Sequence, residues 1–459
     1  MFYLLLLVAQ WYFAFRLPFH IDERFTYLYF VSKGLGVSLA YYPNPNNHIL
    51  FTLLCSVLDW FIKAPFGVMK VAALLAGALV PAVFWVVVRR YFPAPVAWLA
   101  LVLFATSEKI FYYATQGRGY SLQMVWVLVA VACILRLTRP GPAKTAYDGW
   151  FFLSCALGFY TIPTFLFPFT GLVLYALVSL VRQKDFAKIR RFALLLAATA
   201  AATLFLYLPV FLFNGWSAVS GNSWVASTPL LPFLRSLPAH LWELAAALWW
   251  FDSPLAPWLT LGMMAIASWR LLQSNESFSR KQWSGLWLSS VTGVMLVLLW
   301  QRVMLYARVL TYLAIFIYPL MGLGVMDLMN KWIASARWRW ATAIGIGIIS
   351  YGINVYHFNR YTDPTRFDLY NSFNNVALLL YRQRADTIYT QYYEYSLCIR
   401  FQYQTNGRSL YLDTNQPQPG VPYRFVIVHK SHSFPRGLSR ATYHPVYSDP
   451  EATVYKRVE

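Results

Sequence analysis

Apolar runs of about 20 residues, broken by short polar segments, repeat through the first 358 residues of this chain, and no other feature constrains its fold as strongly. A helix of that length matches the ~30 Å hydrocarbon thickness of a bilayer. A soluble core does not need such length so often. Composition agrees: 58% of the 459 residues are hydrophobic and 12% are charged, against roughly 25% charged in a soluble domain. The chain reads as a polytopic integral membrane protein.

A net charge of +20 raises the question of nucleic acid. The placement of that charge answers it. Lys and Arg gather between the apolar runs, at Arg89-Arg90, Arg136 to Lys144, Arg182 to Arg191, Arg270 to Lys281 and Lys331 to Arg339. This is the positive-inside pattern of cytoplasmic loops, so no nucleic-acid partner is expected. Cys55, Cys133, Cys155 and Cys398 show no metal-ligand spacing and imply no disulfide framework. The first 17 residues lack a basic start and a small-residue cleavage site, and read as a retained anchor.

The charge clusters select a topology. Spans at 1–18, 66–88, 94–113, 120–137, 149–161, 162–181, 192–213, 252–272, 283–300, 303–327 and 340–358 put every cluster on the cytoplasmic side. Outer segments then lie at 19–65 and 214–250, provided 48–62 lies along the membrane instead of crossing it. About eleven spans, an odd number, leave the N-terminus inside and the C-terminus outside. Residues 359–459 differ in composition: 369–384 carries Leu369, Phe373, Val376 and Leu380 on one helical face, and short β-like runs follow at Thr387, Ser409, Arg424 and Thr453. The fold class is mainly α: a membrane helical bundle over 1–358, then a small extracytoplasmic α/β domain over 359–459.

With sides assigned, the unusual polar residues converge on the outer face. Asp22-Glu23 follow the first span, and Asn44, Asn46, Asn47 and His48 open the flat segment. Gln116, Arg118 and Tyr120 sit at a hairpin tip, and Arg302 and Arg308 flank the tenth span. Ionisable groups deep in lipid cost ~2.5–3.5 kcal/mol each, which favours cavity or interface positions. Asp22-Glu23 suit a helix cap with a first-turn acid and equally a general base; one helix terminus serves both. His48 suits an interfacial side chain or a phosphate donor, and Arg118 a snorkelling cation or a phosphate fork. Arg302 and Arg308, six residues apart, do not share a helix face, so one is expected to be structural.

These residues also carry a resemblance. Asp22-Glu23, then Asn47-His48-Ile-Leu-Phe, then Tyr113-Ala-Thr-Gln-Gly-Arg118-Gly-Tyr120-Ser-Leu resemble the GT-C glycosyltransferase superfamily, in the bacterial branch related to protein O-mannosyltransferases and the aminoarabinose transferase of lipid A. The motifs cover about the first 180 residues; the rest is similar only in helix pattern and in an outer C-terminal domain. Asn47-His48-Ile49 lacks the prolines of that branch, and Gln116 stands where an acidic residue is usual. The resemblance implies transfer of a sugar from a polyprenyl-phosphate carrier to a glycan, lipid or protein acceptor, in a bacterial inner membrane among membrane lipids. It implies Asp22 as base with Glu23 assisting or binding acceptor. His48, Asn47, Gln116, Arg118, Tyr120, Arg302 and Arg308 would be substrate-binding residues, and the resemblance leaves a divalent metal ion open. The rival readings are a transporter or flippase of a lipid-linked substrate, another polysaccharide transferase or polymerase, and a scaffold whose outer domain binds. Transporters tend to carry internal repeats and midplane sites, and neither is evident here.

Overall fold

A computed structural model of the protein describes every residue except 142–144, 222–225, 248–255, 274–276, 362–368, 415 and 459. The chain begins with α1 (Phe2–Arg16), α2 (Ile21–Tyr29), α3 (Leu35–Ala40) and α4 (Ile49–Leu58). The bundle continues through α5 (Pro65–Arg89), α6 (Ala94–Ala105), α7 (Glu108–Thr115), α8 (Tyr120–Leu137), α9 (Thr145–Thr161), α10 (Leu166–Arg182) and α11 (Phe186–Asn214). After α12 (Ser217–Ser220) come α13 (Leu230–Ala247), α14 (Ala256–Leu272), α15 (Phe278–Gln301), α16 (Ala314–Trp332) and α17 (Ala336–Tyr361).

Six helical stretches are long and apolar enough to cross a membrane: Pro65–Arg89, Tyr120–Leu137, Pro163–Arg182, Phe186–Asn214, Phe278–Gln301 and Ala307–Trp332. Two bent pairs, α1 with α2 and α6 with α7, meet the same measure of length and composition and turn by 77° and 61°. The protein is an integral membrane helical bundle. Helices α9, α14 and α17 occupy the remaining places where a span is expected, although residues 252–255 of one such span lie outside the described residues.

Three local features bear on the expected topology. The run 94–113 is broken rather than straight: α6 ends at Ala105 and α7 begins at Glu108, with Ser107 at its N-cap position. The flat segment 48–62 forms only ten residues of helix in α4, about 15 Å and too short to cross. The segment 214–250, expected to lie outside, contains α13, with Phe233, Leu237 and Leu244 buried along one face. Pro232 and Pro238 obscure that amphipathic stripe in the sequence.

Close packing inside the bundle relies on small residues, as lipid offers no hydrophobic drive between helices. Helices α10 and α15 meet at Gly171 and Gly293. A Cβ on Gly171 would lie 2.7 Å from the Ser290 Cα, and one on Gly293 would lie 2.7 Å from the Gly171 nitrogen.

The C-terminal part comprises α18 (Leu369–Arg382), β1 (Thr387–Thr390), α19 (Tyr393–Gln404), β2 (Tyr411–Asp413), β3 (Phe425–His429), β4 (Tyr443–Ser448) and β5 (Ala452–Arg457). The sheet order is β2-β1-β3-β5-β4, with β1 parallel to β2 and β3, and β5 antiparallel to β3 and β4. Phe373, Val376 and Leu380 of α18 pack with Ile388, Phe425 and Ile427 in one core. The sequence reading lacks α19 and β4. Strand β4 carries Pro445 and a register shift there, tolerable because it is an edge strand. Helix α19 rests on α2: Phe25, Leu28 and Phe30 share a buried cluster with Leu397. Arg24 donates to Asn374 and lies 5.6 Å from the Phe401 ring.

Candidate active site

Helix α2 starts at a reciprocal cap. The Asp22 amide donates to His20 Nδ1 at 3.2 Å, and the His20 amide donates to Glu23 Oε2 at 2.7 Å. Glu23, expected to assist catalysis or to bind acceptor, faces the interior of the protein. Glu23 is fully buried, and its Oε1 lies 2.9 Å from Lys70 Nζ while also accepting from the Gly117 amide. Lys70 is 1% exposed and donates as well to the Thr115 carbonyl at 3.2 Å. The carboxylate is consumed by partners inside the protein, so Glu23 fastens α2, α5 and the loop after α7 together. Lys70 is absent from the sequence reading. Its signal was an ammonium near the start of an apolar helix, which lipid does not accept unpaired.

Gly117 permits this fastening, since a Cβ there would lie 2.8 Å from Glu23 Oε1 and 2.9 Å from Met69 Cβ. The loop then delivers Arg118, which is 3% exposed. Its Nη1 donates to Thr26 Oγ1 at 3.2 Å and to the Asn46 carbonyl at 3.1 Å. Its Nη2 lies 3.1 Å from His48 Nε2 and 3.9 Å from Asp22 Oδ2. Next in the chain, the Gly119 amide donates to His48 Nδ1 at 2.8 Å.

That last bond fixes the imidazole. Burial, followed by the charges of Arg118 and Arg308, holds His48 well below its ordinary value, so the ring is neutral. A neutral ring that accepts at Nδ1 carries its proton on Nε2. Two donors, His48 Nε2–H and Arg118 Nη2–H, therefore stand side by side, an arrangement that suits an anionic oxygen.

Asp22 is partly open, with its side chain 28% exposed. Among the described residues its Oδ2 faces three cationic or basic groups: Arg308 Nη1 at 3.8 Å, Arg118 Nη2 at 3.9 Å and His20 Nδ1 at 3.9 Å. Burial pushes the carboxyl up, but Arg118, then His20 and Arg308, outweigh it and hold the group below its ordinary value. Asp22 is ionised at neutral pH.

The structure separates the other expected site residues. Arg308 joins Asp22 from a 3-10 turn (Ala307–Leu313) and lies 4.5 Å from the Tyr306 ring. Arg302 instead ends α15 in a left-handed conformation (φ 53°), its carbonyl accepting from the Thr228 amide at 2.9 Å. Asn47 is fully buried and ties its own loop, donating to the carbonyls of Ser38 at 2.9 Å and Tyr41 at 3.0 Å. Gln116 is buried at the end of α7, where its carbonyl accepts from the Arg118 amide. Tyr120 packs edge-on against His48, with ring centres 5.1 Å apart. No group of three His, Cys, Asp or Glu side chains suited to a metal ion occurs among the described residues.

The sequence matches no protein-family model and no curated protein. Its fold does have solved counterparts. ArnT from Cupriavidus metallidurans, both in the apo state and bound to undecaprenyl phosphate, aligns with a TM-score of 0.61 at 12% identity, over 100% of this chain and 97% of that one. The Archaeoglobus fulgidus oligosaccharyltransferase in complex with Zn and sulfate aligns at 0.51 and 12% identity, over 100% of this chain and 73% of that one. At such identities the likeness is one of fold alone.

Proposed function

We propose, on the premise of a GT-C fold, that this protein is a membrane glycosyltransferase. It moves a sugar from a polyprenyl-phosphate carrier to a glycan, lipid or protein acceptor at the extracytoplasmic face. The observation that carries the reading is one ionised, partly open carboxylate, Asp22, standing beside Arg118, Arg308 and the Nε2–H of His48. Acid, cations and neutral donor meet where the first outer loop, the hairpin tip and the turn before α16 come together.

The chemistry follows from the groups. Asp22 takes the proton of the acceptor hydroxyl, whose oxygen forms a bond to the anomeric carbon. The bond from that carbon to the phosphate oxygen breaks, and the carrier phosphate departs with the electron pair. Arg118, Arg308 and His48 Nε2–H stabilise the charge that grows on it. A single in-line displacement inverts the anomeric centre. Asp22 is a weak base while its pairs with Arg118 and Arg308 hold it ionised. A bound phosphate competes for the same guanidiniums, loosens that hold and raises the carboxyl toward a value useful for catalysis. Donor binding would thereby activate the base.

An apolar cavity of about 320 Å³ supports a prenyl chain beside this site. Leu241, Trp242, Met264, Val294, Leu310 and Leu313 are among its walls, the last two from the turn that carries Arg308. The basic ends of α5 and α8 point away from the Asp22 site, which supports a cytoplasmic N-terminus and an extracytoplasmic C-terminal domain.

The test uses purified protein in vesicles supplied with a polyprenyl-phosphate sugar and candidate acceptors. A glycosylated acceptor with inverted anomeric configuration, formed as donor is consumed, is the expected result. Movement of labelled donor across the bilayer without a covalent product would replace this reading by that of a flippase.

A further inference from the structure

We propose that a second anion site lies at the opposite membrane face, built by Arg90, Tyr91, Arg136 and Arg139, and that it holds the phosphate of an anionic phospholipid. Helix α8 starts two residues after Arg118 and runs 18 residues to Leu137, about 27 Å at 1.5 Å per residue. Arg136 and Arg139 therefore sit one hydrocarbon thickness away from the Asp22 site. Helix α5 runs the same way, from Lys70 beside Glu23 to Arg89, and Arg90-Tyr91 follow it.

Four observations separate this cluster from ordinary basic loop residues. The Tyr91 hydroxyl is buried and has no hydrogen-bond partner among the described residues, and the same holds for the Nε atoms of Arg136 and Arg139. The Arg139 guanidinium lies 5.4 Å from the Tyr91 ring centre, and the charges of Arg139, Arg136 and Arg90 all act on the Tyr91 hydroxyl. No carboxylate answers these three cations among the described residues; nearby Asp148 and Asp185 pair with Arg191 and Lys188 instead. The segment is also held in place, with Lys188 Nζ donating to the Arg139 carbonyl at 2.9 Å and Gln183 Nε2 to the Thr138 carbonyl at 2.7 Å.

Snorkelling carries a guanidinium out to water, which does not account for desolvated Nε atoms. A helix C-terminus attracts a cation only weakly, which does not account for a phenol that is buried and unpartnered among the described residues beside three of them. A phosphate answers both. Its oxygens accept from guanidinium forks and from a hydroxyl at once. Lipid phosphates lie at the depth of these helix ends, and basic pockets between cytoplasmic helix ends bind anionic headgroups.

The experiment measures lipid retained by the full-length protein in native mass spectrometry, and its thermal midpoint. Both are read in phosphatidylcholine micelles with added phosphatidylglycerol or, separately, inorganic phosphate. The wild type is expected to retain phosphatidylglycerol over phosphatidylcholine and to gain stability from it alone. Arg136→Gln/Arg139→Gln is expected to lose that preference by about tenfold or more, as removal of charged hydrogen bonds implies. Tyr91→Phe, which preserves the ring packing, is expected to weaken it while folding normally. A wild type with no preference for phosphatidylglycerol, variants that keep the preference, or equal stabilisation by inorganic phosphate would each overturn the proposal.

Discussion

The pairing of Arg118 with a neutral His48 is the most informative contact at residue scale, because it places two donors together with no shared acceptor of their own. If they bind a leaving phosphate, Arg118→Ala should lower kcat/KM by about 10²–10³. Arg118→Lys should recover only part of that loss, because an ammonium lacks the planar fork. Steady-state kinetics on both variants checks the point. Gly119→Ala offers a gentler probe: its Cβ would lie 3.0 Å from both Cβ and Nδ1 of His48, so donor KM should rise while the fold survives. The pH dependence follows from the charge states. His48 is already neutral, so it contributes no limb between pH 5 and 8. The Asp22 carboxyl lies below its ordinary value of 3.8, so the acid limb of kcat/KM should fall below that pH. The limb of kcat, measured with donor bound, should lie higher. The same ion pairs contribute stability above the unfolded-state value of about 3.9 and lose it as pH falls through the lower folded value. Thermal midpoints read from pH 6 down to about 2 report this directly.

Lys70 and Glu23 show at element scale how the site is held rather than what it does. Lys70→Met leaves a fully buried carboxylate without its cation and should cost about 3–5 kcal/mol, whereas adding Glu23→Gln should return much of it. A double-mutant cycle of unfolding midpoints in detergent measures that coupling. This pair also marks the limit of reading a sequence. Asp22, His48 and Arg118 were legible because polar groups stand out at the ends of apolar runs. Lys70 was hidden inside such a run, and its meaning comes from a partner 47 residues away. The division of labour between Arg302 and Arg308 was illegible for a similar reason. It depends on the left-handed backbone that ends α15 and on the 3-10 turn that follows, neither of which has a local sequence signature. Helix α18 and strands β1, β3 and β5 declared themselves by period, while α13 and β4 were masked by internal prolines.

Across the whole molecule, two opposed ends are joined by α5 and α8, with the Asp22 site at one end and, at the other, Arg90, Arg136 and Arg139, which have no carboxylate partner among the described residues. The C-terminal domain packs against α2 through Leu397 and Asn374, and Phe401 reaches the cluster of Phe51 and Val68, so it lies at the same end of the bundle as the candidate site. Single cysteines at Arg408 and Arg182 test this arrangement, because all four native cysteines are buried and give little background. An impermeant reagent added outside intact cells should label Arg408→Cys, and Arg182→Cys only after permeabilisation. The account as a whole turns on Asp22, and its most direct test is the turnover of purified Asp22→Asn protein with a polyprenyl-phosphate sugar. A loss of at least about 10² in kcat is expected, with donor affinity no weaker than wild type and the thermal midpoint lowered only by the loss of the Asp22 ion pairs. Near-normal turnover by that protein would contradict the account.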